Sequence, residues 1–154
     1  MTSLLTEIQA MQNPALGAGL IWRFVCGYSP KDQSTRGTPL PLSFLVLPAV
    51  LHARTRDEMN TTRAGSGIRK FEQKFEDSSD LLLAIQPRAV SMRSLSLRSL
   101  NISLATGLTT LLPGEAILWP KTYVMPKGFS KSTEGLMAAA EKLGAWCAPL
   151  SLRD

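Results

Sequence analysis

Residues 14–28 read Pro-Ala-Leu-Gly-Ala-Gly-Leu-Ile-Trp-Arg-Phe-Val-Cys-Gly-Tyr, and Arg23 is their only charge. Asn13 stands before them as an N-cap, a residue whose side-chain oxygen accepts from a free amide of the first turn. Pro14 suits the first helical position, where its missing N–H costs nothing. Leu16, Leu20, Ile21, Phe24, Val25 and Tyr28 recur at helical spacing, and Trp22 and Cys26 make the opposite side apolar as well. A helix that is apolar nearly all round must be enclosed on most sides. The stretch therefore predicts a central core helix that the other elements wrap. A face docked on a partner protein is the other way to cover it.

The rest of the chain has the material to do the wrapping. Its 154 residues fit one domain, and 44% hydrophobic against 19% charged residues argues for a packed core and against disorder. Seventeen Lys and Arg against twelve Asp and Glu leave a formal charge of +5. This mild excess permits an acidic partner without demanding nucleic acid. It sits in residues 88–131, where six basic residues accompany one acid, Glu115. Cys26 and Cys147 have no short spacing and no His beside them, which excludes a disulfide framework and a zinc site as organising principles. Residues 1–12 lack the basic start of a signal peptide. The apolar runs 15–28 and 40–51 fall short of the ~20 residues that cross a bilayer. A soluble, cytoplasmic protein with no membrane partner is the expectation.

Beyond a polar loop at 29–38, residues 42–51 read as a helix bent or broken at Pro48. Thr55 and Glu58 have capping-box spacing, which predicts a helix from Arg56 to about Arg63. Ser66 caps a helix at 67–77 with Ile68, Phe71 and Phe75 as its apolar stripe. A further helix at 80–86 is interrupted by Pro87, and 88–105 resumes until Gly107 stops it. Pro113-Gly114-Glu115 separates two short apolar runs within 108–119, which is turn chemistry for a β-hairpin. A loop at 121–131 leads to a last helix capped by Ser132, with Glu134 in its first turn and Leu136, Ala139, Leu143 and Trp146 on its buried side. The expected fold class is mainly α with a small β-hairpin, a single winged-helix-like α+β domain over 1–154. Its parts are an N-terminal helical stretch (1–63), a winged-helix-like stretch (64–120), and a loop with the C-terminal helix (121–154).

Three helices followed by a hairpin is the order of a winged helix-turn-helix. A DNA-reading helix at 88–105 would need a polar stripe. Arg88, Arg93 and Arg98 are spaced by five, so each step turns about 140° and the three diverge. Val90, Leu97, Leu100 and Leu104 form one apolar stripe, Met92, Leu95 and Ile102 a second, with Ser96, Ser99 and Ser103 between. That pattern predicts a helix held between two packing partners. Lys121, Lys127 and Lys131 are candidate phosphate contacts, since wings and loops often touch the nucleic-acid backbone. Residues 128–133 resemble the tail of a phosphate-binding loop, but Ser130 and Met125 stand where that loop needs glycines. His52, at the end of an apolar run, reads as a donor to helix-end carbonyls. Asp57 and Glu58 read as first-turn acids rather than a general acid/base pair. No catalytic, cofactor-binding or metal site is expected. Trp22, Arg23, Trp119 and Trp146 are candidate partner-interface residues, because Trp and Arg often dominate binding energy.

Further features run together along the chain. They are Gln12-Asn13-Pro14-Ala15-Leu16, Leu20-Ile21-Trp22-Arg23-Phe24, Gly27-Tyr28, the run from Pro39 to Pro48, Leu51-His52 and Thr55-Arg56. The hairpin after Gly107, Phe129-Ser130-Lys131-Ser132-Thr133 and the run from Ala139 to Trp146 complete the set. With these the sequence resembles the middle components of bacterial three-component ABC systems, the group that includes the small subunit of Lamassu-type anti-phage defence. The resemblance covers roughly residues 11–147 and is strongest over the first 52 residues and the last helix. It implies a subunit working beside a large ABC ATPase of the SMC/Rad50 type and an effector, often a nuclease. The implied role is a non-enzymatic adaptor that bridges the two and helps hold the effector inactive until foreign DNA is sensed. DNA contact would then come mainly through the complex. A winged-helix DNA-binding regulator is the alternative reading.

Overall fold

The computed structural model describes residues 13–31, 36–61 and 79–149, with side chains described from 85 onward in the last stretch. The expected helix at 67–77 lies outside the described residues.

Helix α1, Pro14–Tyr28, starts where the sequence predicts. The Asn13 carboxamide oxygen accepts from the amides of Ala15 and Leu16, both at 3.1 Å. Every residue from Gly17 to Tyr28 is buried. The helix is thus the axis of the fold, with α2 (Ser43–Val50), α5 (Arg93–Ala105), α6 (Lys131–Cys147) and the sheet packed around it.

What lets α5 and α6 approach α1 closely is the lack of side chain at the crossings. A Cβ on Gly27 would fall onto the carbonyl of Glu141 in α6, and one on Gly144 onto the carbonyl of Phe24 in α1. A Cβ on Gly17 would collide with the Ser99 hydroxyl of α5. Ser96, Ser99 and Ser103 are all buried, so the small-residue face of α5 is the one turned into the core. The apolar stripe expected to be packed is split: Val90 and Leu97 are exposed, whereas Leu100 is buried and Leu104 packs against the core; of the second stripe, Met92 and Leu95 are buried. Close approach selected the serines over the leucines, because a Leu at position 99 would have no room against Gly17.

The short elements follow local chemistry, with shifts from the expected bounds. A 3-10 turn, Leu40–Leu42, leads into α2, which contains Pro48 without breaking. The carbonyls at the C-terminal end of α2 are capped by cations from elsewhere: Arg56 donates to Val50 O at 3.0 Å and Arg88 to Pro48 O at 3.3 Å. Helix α3, Ala53–Asn60, begins before the predicted capping box. His52 is its N-cap residue, and Thr55 is a buried residue of the first turn bonded to His52 Nδ1 at 2.8 Å. His52 therefore serves the start of α3.

Helix α4, Ser79–Ser91, runs through Pro87, and the break before α5 falls at Met92. Helical bonds cross the junction, Met92 N to Arg88 O and Ser96 N to Met92 O, both 2.9 Å. The Ser91 hydroxyl also donates to Arg88 O at 3.0 Å, a competing bond of the kind that bends helices. Gly107, with φ +80°, closes α5: its amide and that of Leu108 return to the carbonyls of Leu104 and Ser103.

The hairpin consists of β2 (Thr109–Leu112) and β3 (Ile117–Pro120), registered Thr109 to Pro120 and Leu112 to Ile117. The positive φ in its turn falls on Ala116, not on Gly114. A third strand, β1 (Thr38–Pro39), pairs antiparallel with β3, giving the order β1-β3-β2. The prolines around it concealed that strand in the sequence; Pro39 is tolerated because β1 is a two-residue edge. With β1 beside it and Leu118 fully buried, the hairpin is built into the body. Helix α6 starts two residues earlier than expected, with Ser130 as its cap accepting from Thr133 N at 3.3 Å. The fold is mainly α with a small antiparallel sheet.

The packing account makes an opposed pair of predictions. Gly27→Ala and Gly144→Ala each lower stability by about 2 kcal/mol or more, because the new methyl meets backbone that cannot move aside. Gly135→Ala, where a Cβ within α6 would meet nothing within 4 Å, raises it by roughly 0.5–1 kcal/mol through helix propensity. Urea melts of the three variants read all three signs.

Candidate interaction surfaces

Arg23 is the charge that the sequence places on the central helix, and it is nine-tenths buried. Its Nη2 donates to Glu141 Oε2 of α6 at 2.6 Å, and Nη1 to Tyr123 O at 3.3 Å. The guanidinium carbon lies 4.9 Å from the Trp22 ring centroid. Trp22 Nε1 donates to Thr122 O at 2.7 Å, and the Tyr123 hydroxyl donates back to Ser29 O at 2.5 Å. Together these bonds tie the connection between β3 and α6 to the central helix. Trp22 and Arg23 thus position the loop at 121–130 and keep their own surface inside the chain.

Trp146 is likewise buried, with Lys142 Nζ 6.0 Å from its ring centroid. Lys142 also donates to Met59 O at 3.1 Å, near the C-terminal end of α3. Trp119, on β3, is half-buried. Of the four residues singled out as interface candidates, it alone keeps sizeable surface.

The loop held by Trp22 and Arg23 presents Lys121, Lys127 and Lys131, all exposed. No acid lies between the first and last of them, and among the described residues none forms an ion pair. Val124 and Phe129 are exposed on the same connection. At its inner edge an open cavity of about 480 Å³ is lined by Arg23, Cys26, Lys31, Tyr123, Glu141 and Lys142, among others. Arg23 and Glu141 form their ion pair within it.

A second surface was missed by periodicity. Phe44 of α2, Gln86, Ala89 and Val90 of α4, and Arg93 and Leu97 of α5 line an open groove of about 320 Å³. The stripe from Val90 to Leu97 was the signal, but apolar spacing cannot say whether a stripe faces a neighbour or water.

Among the described residues no three His, Cys, Asp or Glu side chains gather as metal ligands. Asp57 is exposed and Glu58 half-buried, on α3 beside the His52–Thr55 pair. Cys26 is buried and Cys147 half-buried, both as free thiols. Burial pushes each up to about 11; for Cys26 the Arg23 charge opposes this and Glu141 adds to it. Among the described residues no helix is long and apolar enough to cross a membrane.

A family model for Middle Component 3 of ABC-three component (ABC-3C) systems matches residues 1–153. No curated protein and no solved structure matches the chain.

The thiols give a direct solution test. At pH 8 the thiolate share of a group at about 11 is about a hundredfold below that of an ordinary thiol at 9.0. Both cysteines of the native chain are therefore expected to react slowly with a thiolate-directed reagent, and promptly once guanidinium unfolds it. Between pH 9 and 11 the unfolded chain has released thiol protons that the folded chain retains, so stability falls as pH rises through that window. Prompt native labelling at pH 8 would refute the burial account.

Proposed function

The chain belongs to the Middle Component 3 family of ABC-three component systems, and we propose that it is a non-enzymatic adaptor in an anti-phage defence complex of the Lamassu kind. In this reading it bridges an SMC/Rad50-like ABC ATPase and a nuclease-type effector, and helps hold the effector inactive until foreign DNA is sensed. The family match along nearly the whole chain carries the proposal. The structure adds support, because a bridge needs two separate faces. The groove between α2, α4 and α5 and the lysine-bearing loop at 121–131 share no lining residue.

Co-expression with the two other components of its system, with the tag on this chain alone, tests the adaptor reading. The expected product is one assembly containing all three components, resolved by native mass. Elution of this chain by itself at the mass of a monomer would sink the proposal.

One observation favours a second reading, DNA contact: the exposed lysines of a loop without acids suit phosphate. Changing Lys121, Lys127 and Lys131 together to Glu is expected to weaken binding of a labelled duplex about tenfold or more, with a shallower dependence on salt. Unchanged anisotropy titrations would remove the loop from any DNA contact.

A further inference from the structure

We propose that the groove between α2, α4 and α5 is the docking site for an acidic amphipathic helix of another component of the complex. The inference rests on the adaptor reading and assigns one of its two faces. Val90 is 63% exposed and Leu97 44%, a large apolar area to leave in water beside a groove of about 320 Å³. Phe44 and Ala89 floor the same groove, and Leu45, the next residue of α2, is also exposed. The bond from Arg88 to Pro48 O holds α4 against α2, so the groove has a fixed wall.

Charge identifies the occupant. Arg93 lines the groove one helical turn before Leu97, and Arg98 is exposed farther round α5, about 140° from Arg93. Neither forms an ion pair among the described residues. There is no Asp or Glu in α2, in residues 85–91 or in α5. A helix with apolar anchors at i, i+3 or i+4 and acids beside them satisfies both the lining and the arginines. A second copy of this chain fits less well, since a two-fold interface on the groove would set Arg93 against Arg93 and none of the groove's lining residues is an acid. Nucleic acid would meet the arginines and leave Phe44, Val90 and Leu97 against phosphate.

The test uses the co-expressed complex. Val90→Glu with Leu97→Glu, and separately Arg93→Glu with Arg98→Glu, are compared with Arg54→Glu, which makes the same kind of charge change on exposed α3. All three altered residues of α5, and Val90, are exposed, so the melting temperature of the isolated chain is expected to stay near wild type. The groove variants are expected to lower recovery of one component about tenfold or more while the Arg54 variant retains both. A photo-crosslinker placed at Leu97 in the complex is expected to label an acidic, amphipathic segment of that same component. If wild-type chain assembles and both groove variants assemble equally well, the groove assignment is overturned and the adaptor reading stands. If wild-type chain assembles with nothing, both fall. A crosslink to a second copy of this chain, or to a segment without acids, also overturns the assignment.

Discussion

The close crossing of α1 with α5 and α6 is the constraint from which the rest of the structure follows. Three helices can share one axis only where side chains are absent or very small. Gly27 and Gly144 supply that on the α6 side, and Gly17 with Ser99 on the α5 side. Backbone-to-backbone approach lets Leu20, Ile21, Phe24 and Val25 interlock with Leu136, Met137, Ala140 and Leu143 in one core. The arrangement has a cost. The hydroxyls of Ser96 and Ser99 are buried without hydrogen-bond partners among the described residues. A larger apolar residue would avoid that loss but would separate the helices.

The same crossing dictates where charge can enter. Arg23 lies on the enclosed helix, so its guanidinium must be satisfied by the neighbours that enclose it. Glu141 on α6 and the Tyr123 carbonyl do most of this, while the Arg23 Nε atom has no partner among the described residues. An ion pair whose acid is half exposed contributes little net stability, because water screens the attraction. Its effect is positional. It holds the guanidinium where Nη1 reaches Tyr123 O, and that bond, with Trp22 to Thr122 O, ties down the connection between β3 and α6 that carries the exposed lysines. In this way an interior residue determines what the surface can present.

Much of the fold was legible along the chain because it depends on local chemistry. The Asn13-Pro14 start, the stop at Gly107, the hairpin and the buried side of α6 all follow from residues within a few positions of one another. Where two local signals competed, the shifts were small. Ser130 outcompeted Ser132 as the cap of α6, and the bend fell at Met92 rather than at Pro87. The surface was less legible. Trp22 and Trp146 have the composition of interface anchors, yet both are consumed by the core. The groove sat in plain sight as Val90 and Leu97 but read as a packed stripe.

By itself the sequence determined that one helix would be central, that the fold would be mainly helical with a small hairpin, and that the basic excess would lie in residues 88–131. Periodicity and capping act within one element, so they need no knowledge of neighbours. Only the tertiary structure decided which face of α5 turned inward, that Thr38–Pro39 joined the sheet, and which apolar residues remained in water. Those choices depend on the distance between helix axes. That distance is set by pairs such as Gly17 with Ser99, far apart in the chain and meeting only when it folds.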